Sequence, residues 1–261
     1  MSKAIVNGIE VHYEVDGSGP WLTLAHALAC DLSLWDEFTA ALRDRFTILR
    51  YDLRGHGASG APPGPYDFSL FTHDLIGLLD HLKIERTDFL GVSLGGMIGQ
   101  HFALAAPQRL RRLAIANSTS RIGAEAIPVW QERIRQVEMH GMSSLVDSTL
   151  ARWFTPEFRA ARPDVMQRIG RLIAATPPCG YIGCGAALQS MDISAQIAAI
   201  RHPTLVLSAD QDIGMPAALS SAIAAAIPDA RLEVIASASH LACLEQAERF
   251  RQAVLEFLLA E

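Results

Sequence analysis

One serine in this chain stands in a setting that suits nucleophilic chemistry. Ser93 lies within residues 91–96, which read GVSLGG. A short apolar run precedes it at 87–92, and residues 97–104 carry apolar side chains at helical spacing. Glycines two positions to either side permit the tight strand-to-helix turn that exposes a serine hydroxyl, although an ordinary Gly/Ser turn matches the same pentapeptide. Whether Ser93 is a nucleophile therefore depends on partner residues elsewhere in the chain.

A histidine and a carboxylate follow this serine in a fixed order. A serine hydroxyl is a weak nucleophile at neutral pH, and a histidine base held by a carboxylate is the usual remedy. Asp212 comes shortly after the apolar run 204–208, and His240 comes five residues after the end of the run 232–235. The order Ser93, Asp212, His240 is typical of one class of serine hydrolase. We therefore predict a catalytic triad made of these three residues.

Each member of the predicted triad has a structural alternative. Asp212 could be an ordinary turn residue, and Asp210 is a rival that lies only two residues past the apolar run. His240 differs from most other histidines because it lies on a loop after a late strand. His56, in a glycine-rich loop before the serine, is interpreted as structural. The three signals in one order favour a triad.

The backbone amides of Leu28 and Leu94 are the predicted oxyanion donors. Acyl transfer places negative charge on the carbonyl oxygen, and backbone N–H groups commonly stabilise it. Leu94 follows the serine at the start of a predicted helix, where amides lack intrahelical acceptors. Leu28 lies in the loop after the apolar run 21–25, for which a plain turn is the alternative.

The elements that must position these residues alternate between strand and helix. Asn7-Gly8 predicts a hairpin between residues 4–6 and 10–15. Apolar runs and helical spacing predict strands at 21–25, 46–51, 87–92, 113–116, 204–208 and 232–235, and helices over 34–42, 71–82, 97–104 and 245–259. This alternation predicts an α/β fold with a mostly parallel, eight-stranded sheet flanked by helices.

The alternation stops between residues 119 and 203. That stretch has helical segments, aromatic residues and prolines but no convincing strand. We predict an inserted helical cap at 119–203 and a core domain formed by residues 1–118 and 204–261. Such an insertion would lie over the carboxyl edge of the sheet, where α/β folds place their sites.

Composition excludes several classes of function. There are 22 Lys and Arg against 28 Asp and Glu, and no basic block occurs, so nucleic acid is not expected as a partner. The chain shows neither a secretory segment nor a membrane-spanning apolar stretch, which predicts a cytoplasmic location away from membranes. Four scattered cysteines are expected to be free thiols, and Cys179 with Cys184 lacks further zinc ligands. No metal or cofactor is predicted, and a homo-oligomer is compatible with the sequence.

Taken together, these motifs resemble the α/β-hydrolase fold family. The likeness rests on residues 91–96, on RGHGAS at 54–59, and on the late Asp212 and His240, and it runs over nearly the whole chain. Within that fold, the chain is most similar to 3-oxoadipate enol-lactonases of aromatic-compound degradation. The narrower likeness is carried by RYD at 50–52, GPY at 64–66, RIG at 121–123, Trp130 with Arg133, RWFT at 152–155 and GY at 180–181.

The resemblance implies a serine hydrolase that opens a carboxylated enol-lactone through an acyl-serine. A substrate of this class needs a cation, and Trp130 and Arg133 lie three residues apart on one helix face. The resemblance suggests this pair for the carboxylate, whereas the alternative leaves Arg133 as a solvated arginine beside Arg135. The loop 26–29 reads HALA and departs from the Asn-Ser-Leu-Gly usual in that family.

Two further functions fit the same motifs. The core motifs alone suit a general carboxylesterase or a C–C bond hydrolase that uses the same triad. A protein that binds ligands and has lost turnover is a different class, which the completeness of the triad argues against. If the chain is an enzyme, its expected partner is a small-molecule lactone or ester.

Overall fold

Eight strands form one sheet in the computed structural model, which describes residues 2–260. They are β1 (Ser2–Val6), β2 (Ile9–Gly17), β3 (Trp21–Ala25), β4 (Thr47–Tyr51), β5 (Thr87–Val92), β6 (Leu110–Ala116), β7 (Thr204–Ala209) and β8 (Arg231–Ile235). Their spatial order is β1-β2-β4-β3-β5-β6-β7-β8. The pairs β1–β2 and β2–β4 are antiparallel, and the other five pairs are parallel. The predicted eight-stranded, mostly parallel α/β sheet is confirmed.

Helices connect most of these strands. They are α1 (Asp36–Leu42), α2 (Phe68–His81), α3 (Leu94–Ala105), α4 (Ile127–His140), α5 (Val146–Trp153), α6 (Pro156–Ala161), α7 (Pro163–Ala175), α8 (Pro178–Gln189), α9 (Ala217–Ala226), α10 (Ala242–Glu245) and α11 (Ala247–Leu259). The helix predicted over 245–259 is divided, because Gln246 has φ −123° and ψ 52°, outside the helical region. Within residues 2–260, no helix is both long enough and apolar enough to cross a bilayer.

The strands that deliver the candidate site residues are buried on both faces. Every residue of β5 and every residue of β7 is buried. Central strands of a parallel sheet are covered by helices on both sides, so they read as continuous apolar runs and not as alternating ones. The edge strand β8 is more exposed, with Leu232 and Val234 open to solvent. The central position of β5 holds the turn after it rigidly at the carboxyl edge of the sheet.

Five helices, α4 to α8, lie between β6 and β7, and we call residues 119–203 the cap segment. Its two ends run side by side where it leaves the sheet. Ile122 N–H donates to Met191 O at 2.9 Å, and Ile193 N–H donates to Ser120 O at 2.9 Å. The segment therefore leaves and rejoins the sheet-bearing part of the chain at one narrow neck. The residues of this neck lie within the predicted bounds of the cap, 119–203. The division of the chain into two domains stays a prediction.

Candidate active site

Ser93 lies at the turn between β5 and α3 in a strained backbone conformation. Its φ is 56° and its ψ is −116°, a combination that residues other than glycine seldom adopt. Two hydrogen bonds hold the turn: Ser93 N–H donates to Ala116 O at 2.9 Å, and Ser118 Oγ donates to Ser93 O at 2.8 Å. The side chain lines a cavity of about 100 Å³.

The glycines around Ser93 are required by close backbone approach. A Cβ atom at Gly91 would lie 2.2 Å from Gly95 O, and a Cβ at Gly95 would lie 2.3 Å from Ala25 O. Both distances are far below van der Waals contact, so any larger residue would force the backbone apart. The pentapeptide pattern is therefore a steric requirement of this turn, which agrees with the predicted tight strand-to-helix turn.

The carboxylate of Asp212 accepts four hydrogen bonds. Oδ1 accepts from the Gly214 and Met215 amides, both at 2.8 Å. Oδ2 accepts from Asn117 Nδ2 at 3.1 Å and from His240 Nδ1 at 2.7 Å. Burial disfavours the charged form, but His240 and the other donors outweigh it and hold the pKa of Asp212 below its ordinary value. An ionised carboxylate only accepts, so the His240 proton sits on Nδ1 and Nε2 is left as the base.

The rival carboxylate, Asp210, lies elsewhere on the same loop. Its Oδ1 accepts from Ala238 N–H at 3.3 Å, and in the described chain it has no hydrogen bond with His240. Asn117, which sequence reasoning did not single out, directly follows β6 and has a positive φ of 46°. Its place at the carboxyl end of a central strand is the signal that could have identified it.

Ser93 and His240 line the same cavity. Among the hydrogen bonds of residues 2–260, none joins Ser93 Oγ to His240 Nε2. Catalytic hydrogen bonds are often long or poorly aligned before substrate binds, so the lack of this bond does not exclude Ser93 as the nucleophile. The structure thus brings together all three predicted triad residues, with the carboxylate–histidine half fully formed.

Leu28 and Leu94, whose amides are the predicted oxyanion donors, line this cavity too. Leu94 is the first residue of α3, where an amide has no intrahelical acceptor. In its loop, Ala29 N–H donates to His56 Nε2 at 3.0 Å and Cys30 N–H donates to Ala27 O at 3.1 Å. The Leu28 N–H has no acceptor among the described residues. Two amides near Ser93 are therefore free to donate to a ligand oxygen.

Two buried histidines hold this loop in place. His26 donates from Nδ1 to Ala27 O at 2.7 Å and accepts from Leu53 N–H at 3.0 Å through Nε2. His56 donates from Nδ1 to Arg54 O at 3.1 Å, while its Nε2 accepts from the loop. Burial lowers the pKa of His26 and lowers the pKa of His56 to about 3. Both rings are neutral at neutral pH, and their geometry agrees with the structural interpretation of His56.

The end of helix α5 packs directly against the loop that carries His240. The Trp153 ring stacks on the His240 ring, with centroids 6.0 Å apart and an interplanar angle of 29°. Leu241 N–H donates to Trp153 O at 3.3 Å, and Ser239 Oγ donates to Arg152 O at 3.3 Å. The cap segment therefore supplies one wall of the histidine's surroundings, a contact that the sequence pattern did not reveal.

A buried glutamate joins the same two segments. Glu245 Oε1 accepts from Thr155 N–H at 2.8 Å and from Thr155 Oγ1 at 2.9 Å, and Oε2 accepts from Ser239 N–H. Ser239 precedes His240, and Thr155 follows α5. One carboxylate thus ties the cap segment to the histidine loop.

Trp130 and Arg133 both lie on α4 and line the cavity with Ser93. Arg133 donates from Nε to Tyr181 OH at 2.9 Å and from Nη2 to Thr149 Oγ1 at 2.7 Å. Arg135 instead pairs with Glu132 on the exposed side of the helix. Arg133 is therefore a cavity residue and not a solvated surface arginine. A second cavity arginine, Arg152, was singled out in the sequence only as part of a motif.

Within residues 2–260, no group of three or more His, Cys, Asp or Glu side chains is arranged to hold a metal ion. The chemistry that this arrangement can carry out with its own groups is nucleophilic attack by Ser93. His240 would be the base, and two amides would face the developing oxyanion.

Known proteins share both this sequence and this architecture. 3-Oxoadipate enol-lactonase 2 of Acinetobacter baylyi is 35% identical over 90% of this chain and 87% of its own length. The enol-lactonase structure from Burkholderia xenovorans LB400 is 38% identical, covers 99% of this chain and 100% of its own, and has a TM-score of 0.96. A thermophilic esterase from Thermogutta terrifontis, solved with malate bound, is 28% identical with a TM-score of 0.94, covering 99% of this chain and 98% of its own.

The sequence profile of the alpha/beta hydrolase fold matches residues 20–247. The resemblance to 3-oxoadipate enol-lactonases that the motifs indicated is confirmed by these relatives. From the profile, the relatives and the geometry of its site, this chain is a hydrolase that belongs to the alpha/beta hydrolase fold family.

Proposed function

We propose that this chain opens 3-oxoadipate enol-lactone, or a closely related carboxylated enol-lactone, to its dicarboxylate during the breakdown of aromatic compounds. The observation that carries the proposal is the placement of Trp130 and Arg133 in the cavity that Ser93 and His240 line. A guanidinium in an otherwise largely apolar cavity suits a small substrate that carries a carboxylate. The relatives named 3-oxoadipate enol-lactonase support the same substrate.

The first chemical step is attack by the serine. His240 Nε2 removes the proton from Ser93 Oγ as Oγ forms a bond with the lactone carbonyl carbon. The carbonyl oxygen becomes an oxyanion, which the amides of Leu28 and Leu94 stabilise by about 3 to 4 kcal/mol each on the scale of other oxyanion holes. Asp212 stabilises the imidazolium that forms.

The second step releases the ring oxygen and then the acid. The bond between the acyl carbon and the ring oxygen breaks, and the enolate that leaves takes the proton from the His240 imidazolium and becomes a ketone. An enolate is a better leaving group than an ordinary alkoxide, which favours an acyl-serine intermediate. His240, now neutral, removes a proton from water, and the hydroxide attacks the acyl carbon. The bond from that carbon to Ser93 Oγ breaks, Oγ takes the proton back from His240, and the acid leaves as a carboxylate.

The direct test is turnover of 3-oxoadipate enol-lactone by the wild-type chain and by Ser93→Ala. We expect the variant to lose the serine-dependent rate, because no other nucleophile is assigned in the cavity. Efficient turnover of simple esters without turnover of this lactone would favour the carboxylesterase alternative. Absence of Ser93-dependent turnover of every ester and lactone, including p-nitrophenyl acetate, would favour a ligand-binding protein.

The role of Arg133 has its own test. Arg133→Ala should raise the KM for the carboxylated lactone far more than the KM for a neutral ester, because the lost guanidinium interacts only with the carboxylate. Arg135→Ala, on the exposed side of the same helix, is the matched control and should change neither. Equal effects of Arg133→Ala on both substrates would contradict the assignment.

A general carboxylesterase is the second candidate function. The esterase from Thermogutta terrifontis that resembles this chain was solved with malate bound, and malate is a dicarboxylate. An anion in the structure is therefore compatible with an esterase as well as with an enol-lactonase. The ratio of kcat/KM for the carboxylated lactone to kcat/KM for p-nitrophenyl acetate separates the two candidates. For the location we propose the cytoplasm, since Cys30, Cys179, Cys184 and Cys243 are all free thiols.

A further inference from the structure

Two arginines line the cavity that contains Ser93 and His240. Arg133 comes from α4 and Arg152 from α5, both in the cap segment. Most of the remaining residues along this cavity are apolar, and among the described residues that line it there is no aspartate or glutamate. The lining therefore contributes two positive charges and no carboxylate, and the carboxylate of Asp212, which is not a lining residue, attracts the charge of Arg152.

Neither arginine pairs with an acidic side chain within residues 2–260. Arg133 donates to Tyr181 OH and Thr149 Oγ1, which are uncharged. These bonds fix the guanidinium without neutralising it. The Arg152 side chain donates no hydrogen bond to any described residue, and it remains accessible to solvent. Both charges are thus available to a ligand.

Helix geometry places the two arginines close together along the cavity. Thr149 and Arg152 lie three residues apart on α5, so they share one face of that helix. Because Arg133 binds Thr149, the two arginines are neighbours. Partial burial lowers the pKa of Arg152, and the charge of Arg133 lowers it further, against opposing effects of Asp212 and Tyr181. An anion between them would relieve this repulsion.

Arg152 lies toward the end of the cavity that holds His240. A Cβ atom at Gly214 would be 3.1 Å from Arg152 Nε and 3.2 Å from Asp212 Oδ1, so this side chain passes close to the carboxylate that orients the histidine. The next residue, Trp153, stacks on the His240 ring. A carboxylate released from Ser93 would form at this end.

We propose that Arg133 and Arg152 together bind a dicarboxylate, and that Arg152 receives the carboxylate formed when the lactone opens. The inference rests on the proposed function and names the product as a ligand of the same cavity. Hydrolysis adds the oxygen of water to the acyl carbon and breaks its bond to the ring oxygen. A lactone with one negative charge and a water molecule become a ketone with two carboxylates and one free proton. The second charge appears beside His240, while Arg133 holds the first.

Competitive inhibition tests the proposal with simple acids. Adipate and hexanoate have the same six-carbon chain, and only adipate carries two carboxylates. Against Ser93-dependent hydrolysis of p-nitrophenyl acetate by the wild-type chain, we expect adipate to bind about tenfold more tightly than hexanoate, since a second charge-assisted pair forms. The same preference is measured without turnover as the larger rise in Tm that adipate produces at equal concentration.

Variants locate the second carboxylate. Arg152→Met keeps the aliphatic stem and should abolish most of the adipate preference while changing hexanoate inhibition little. Arg133→Met should weaken inhibition by both acids. Arg152→Lys keeps the charge and should keep part of the preference. Arg135→Met is the matched control, since Arg135 pairs with Glu132 outside the cavity, and it should leave both inhibition constants unchanged.

Equal binding of the two acids to the wild-type chain would overturn the inference, as would an unchanged preference in Arg152→Met. Should that variant fail to fold, the wild-type comparison still tests dicarboxylate binding, and Arg152→Lys tests the residue. Turnover of the enol-lactone without any preference for adipate refutes this inference alone. A preference for adipate that depends on Arg152, without turnover of the lactone, supports the two-arginine site and refutes the proposed function.

Discussion

At the scale of single residues, the four hydrogen bonds to Asp212 determine what His240 can do. The lowered pKa keeps this carboxylate ionised well below neutral pH, so it accepts the Nδ1 proton of the histidine. Asp212→Asn would place an amide there, which can stabilise the wrong tautomer. We expect kcat for p-nitrophenyl acetate to fall by about 10⁴, the size of the corresponding change in a serine protease triad.

Asp210→Asn is the matched control for that substitution, because within residues 2–260 the Asp210 carboxylate accepts a hydrogen bond only from the Ala238 amide. Steady-state kinetics of both variants provide the measurement, and the control should lose less than about tenfold, as expected for a residue outside the triad. Losses of similar size in the two variants would contradict the choice of Asp212 as the carboxylate of the triad.

The lowered pKa of His56 makes the free energy of unfolding depend on pH. Its pKa in the folded state is about 3, whereas an exposed histidine in the unfolded chain titrates near 6.5. Between these values the unfolded chain binds more protons, so the free energy of unfolding falls as pH is lowered through this range, by up to about 1.4 kcal/mol per pH unit. Above about pH 6.5 this contribution is constant.

The pH effect is measured by urea unfolding of the wild-type chain and of His56→Asn between pH 7.5 and 4.5. The variant lacks the titrating ring, so its unfolding free energy should fall less steeply with decreasing pH. His73→Asn is the control, since His73 lies exposed on α2. A wild-type slope that His56→Asn leaves unchanged would show that other groups dominate the acid sensitivity.

At the scale of elements, the most consequential contact joins helix α5 of the cap segment to the loop that carries His240. The Glu245 carboxylate accepts hydrogen bonds from Thr155 in the cap segment and from Ser239 in the histidine loop. Because the carboxylate is buried, an N–H group that lost this acceptor would have no water to replace it. Glu245→Gln replaces one acceptor oxygen with a donor that faces other donors. We expect it to destabilise the chain by about 2 kcal/mol and to lower kcat.

Thr155→Val tests whether the glutamate acts through the cap segment. It removes the hydroxyl that donates to Glu245, so the two substitutions should be non-additive in unfolding free energy, with a coupling of about 1 kcal/mol. Glu248→Gln, on the exposed surface of α11, is the control for loss of a carboxylate. Strict additivity of the first two substitutions would contradict the coupling.

At the scale of the whole molecule, the cap segment and the sheet are expected to unfold together. Besides the glutamate contact, Tyr66 N–H donates to Gly183 O at 3.2 Å, and Arg168 Nη1 donates to Ser33 O at 3.2 Å. A Cβ at Gly180 would lie 2.0 Å from Gly55 O, so the two backbones are in close contact. Such extensive contact predicts a single cooperative unfolding transition, although the sequence predicts two domains.

The four tryptophans allow this to be measured. Trp21 and Trp35 lie outside the cap segment, whereas Trp130 and Trp153 lie within it. The fluorescence transitions of Trp21→Phe/Trp35→Phe and of Trp130→Phe/Trp153→Phe chains should each coincide with their own far-UV circular dichroism transition in urea. Two separated midpoints would show that the cap segment unfolds independently.

The extent of agreement between sequence and structure differs among these scales. All eight strands agree because buried central strands read as continuous apolar runs, and because Asn7 and Gly8 with positive φ suit a tight hairpin. The sequence pattern did not predict the division of the last helix at Gln246, because a single non-helical residue leaves the apolar spacing intact. Within the site, Ser93, Asp212 and His240 were identified because each follows a strand at the same edge of the sheet.

The amino-acid sequence by itself determined the order of the strands along the chain, the glycines around Ser93 and the residue types of the predicted triad. Those features depend on neighbours within a few residues, where local sterics and periodicity decide. Only the tertiary structure showed that Asn117 supports Asp212, that Glu245 joins the cap segment to the histidine loop, and that Arg152 lies beside Arg133. These contacts connect residues far apart in the chain, and no local pattern encodes which distant side chains meet in a folded cavity.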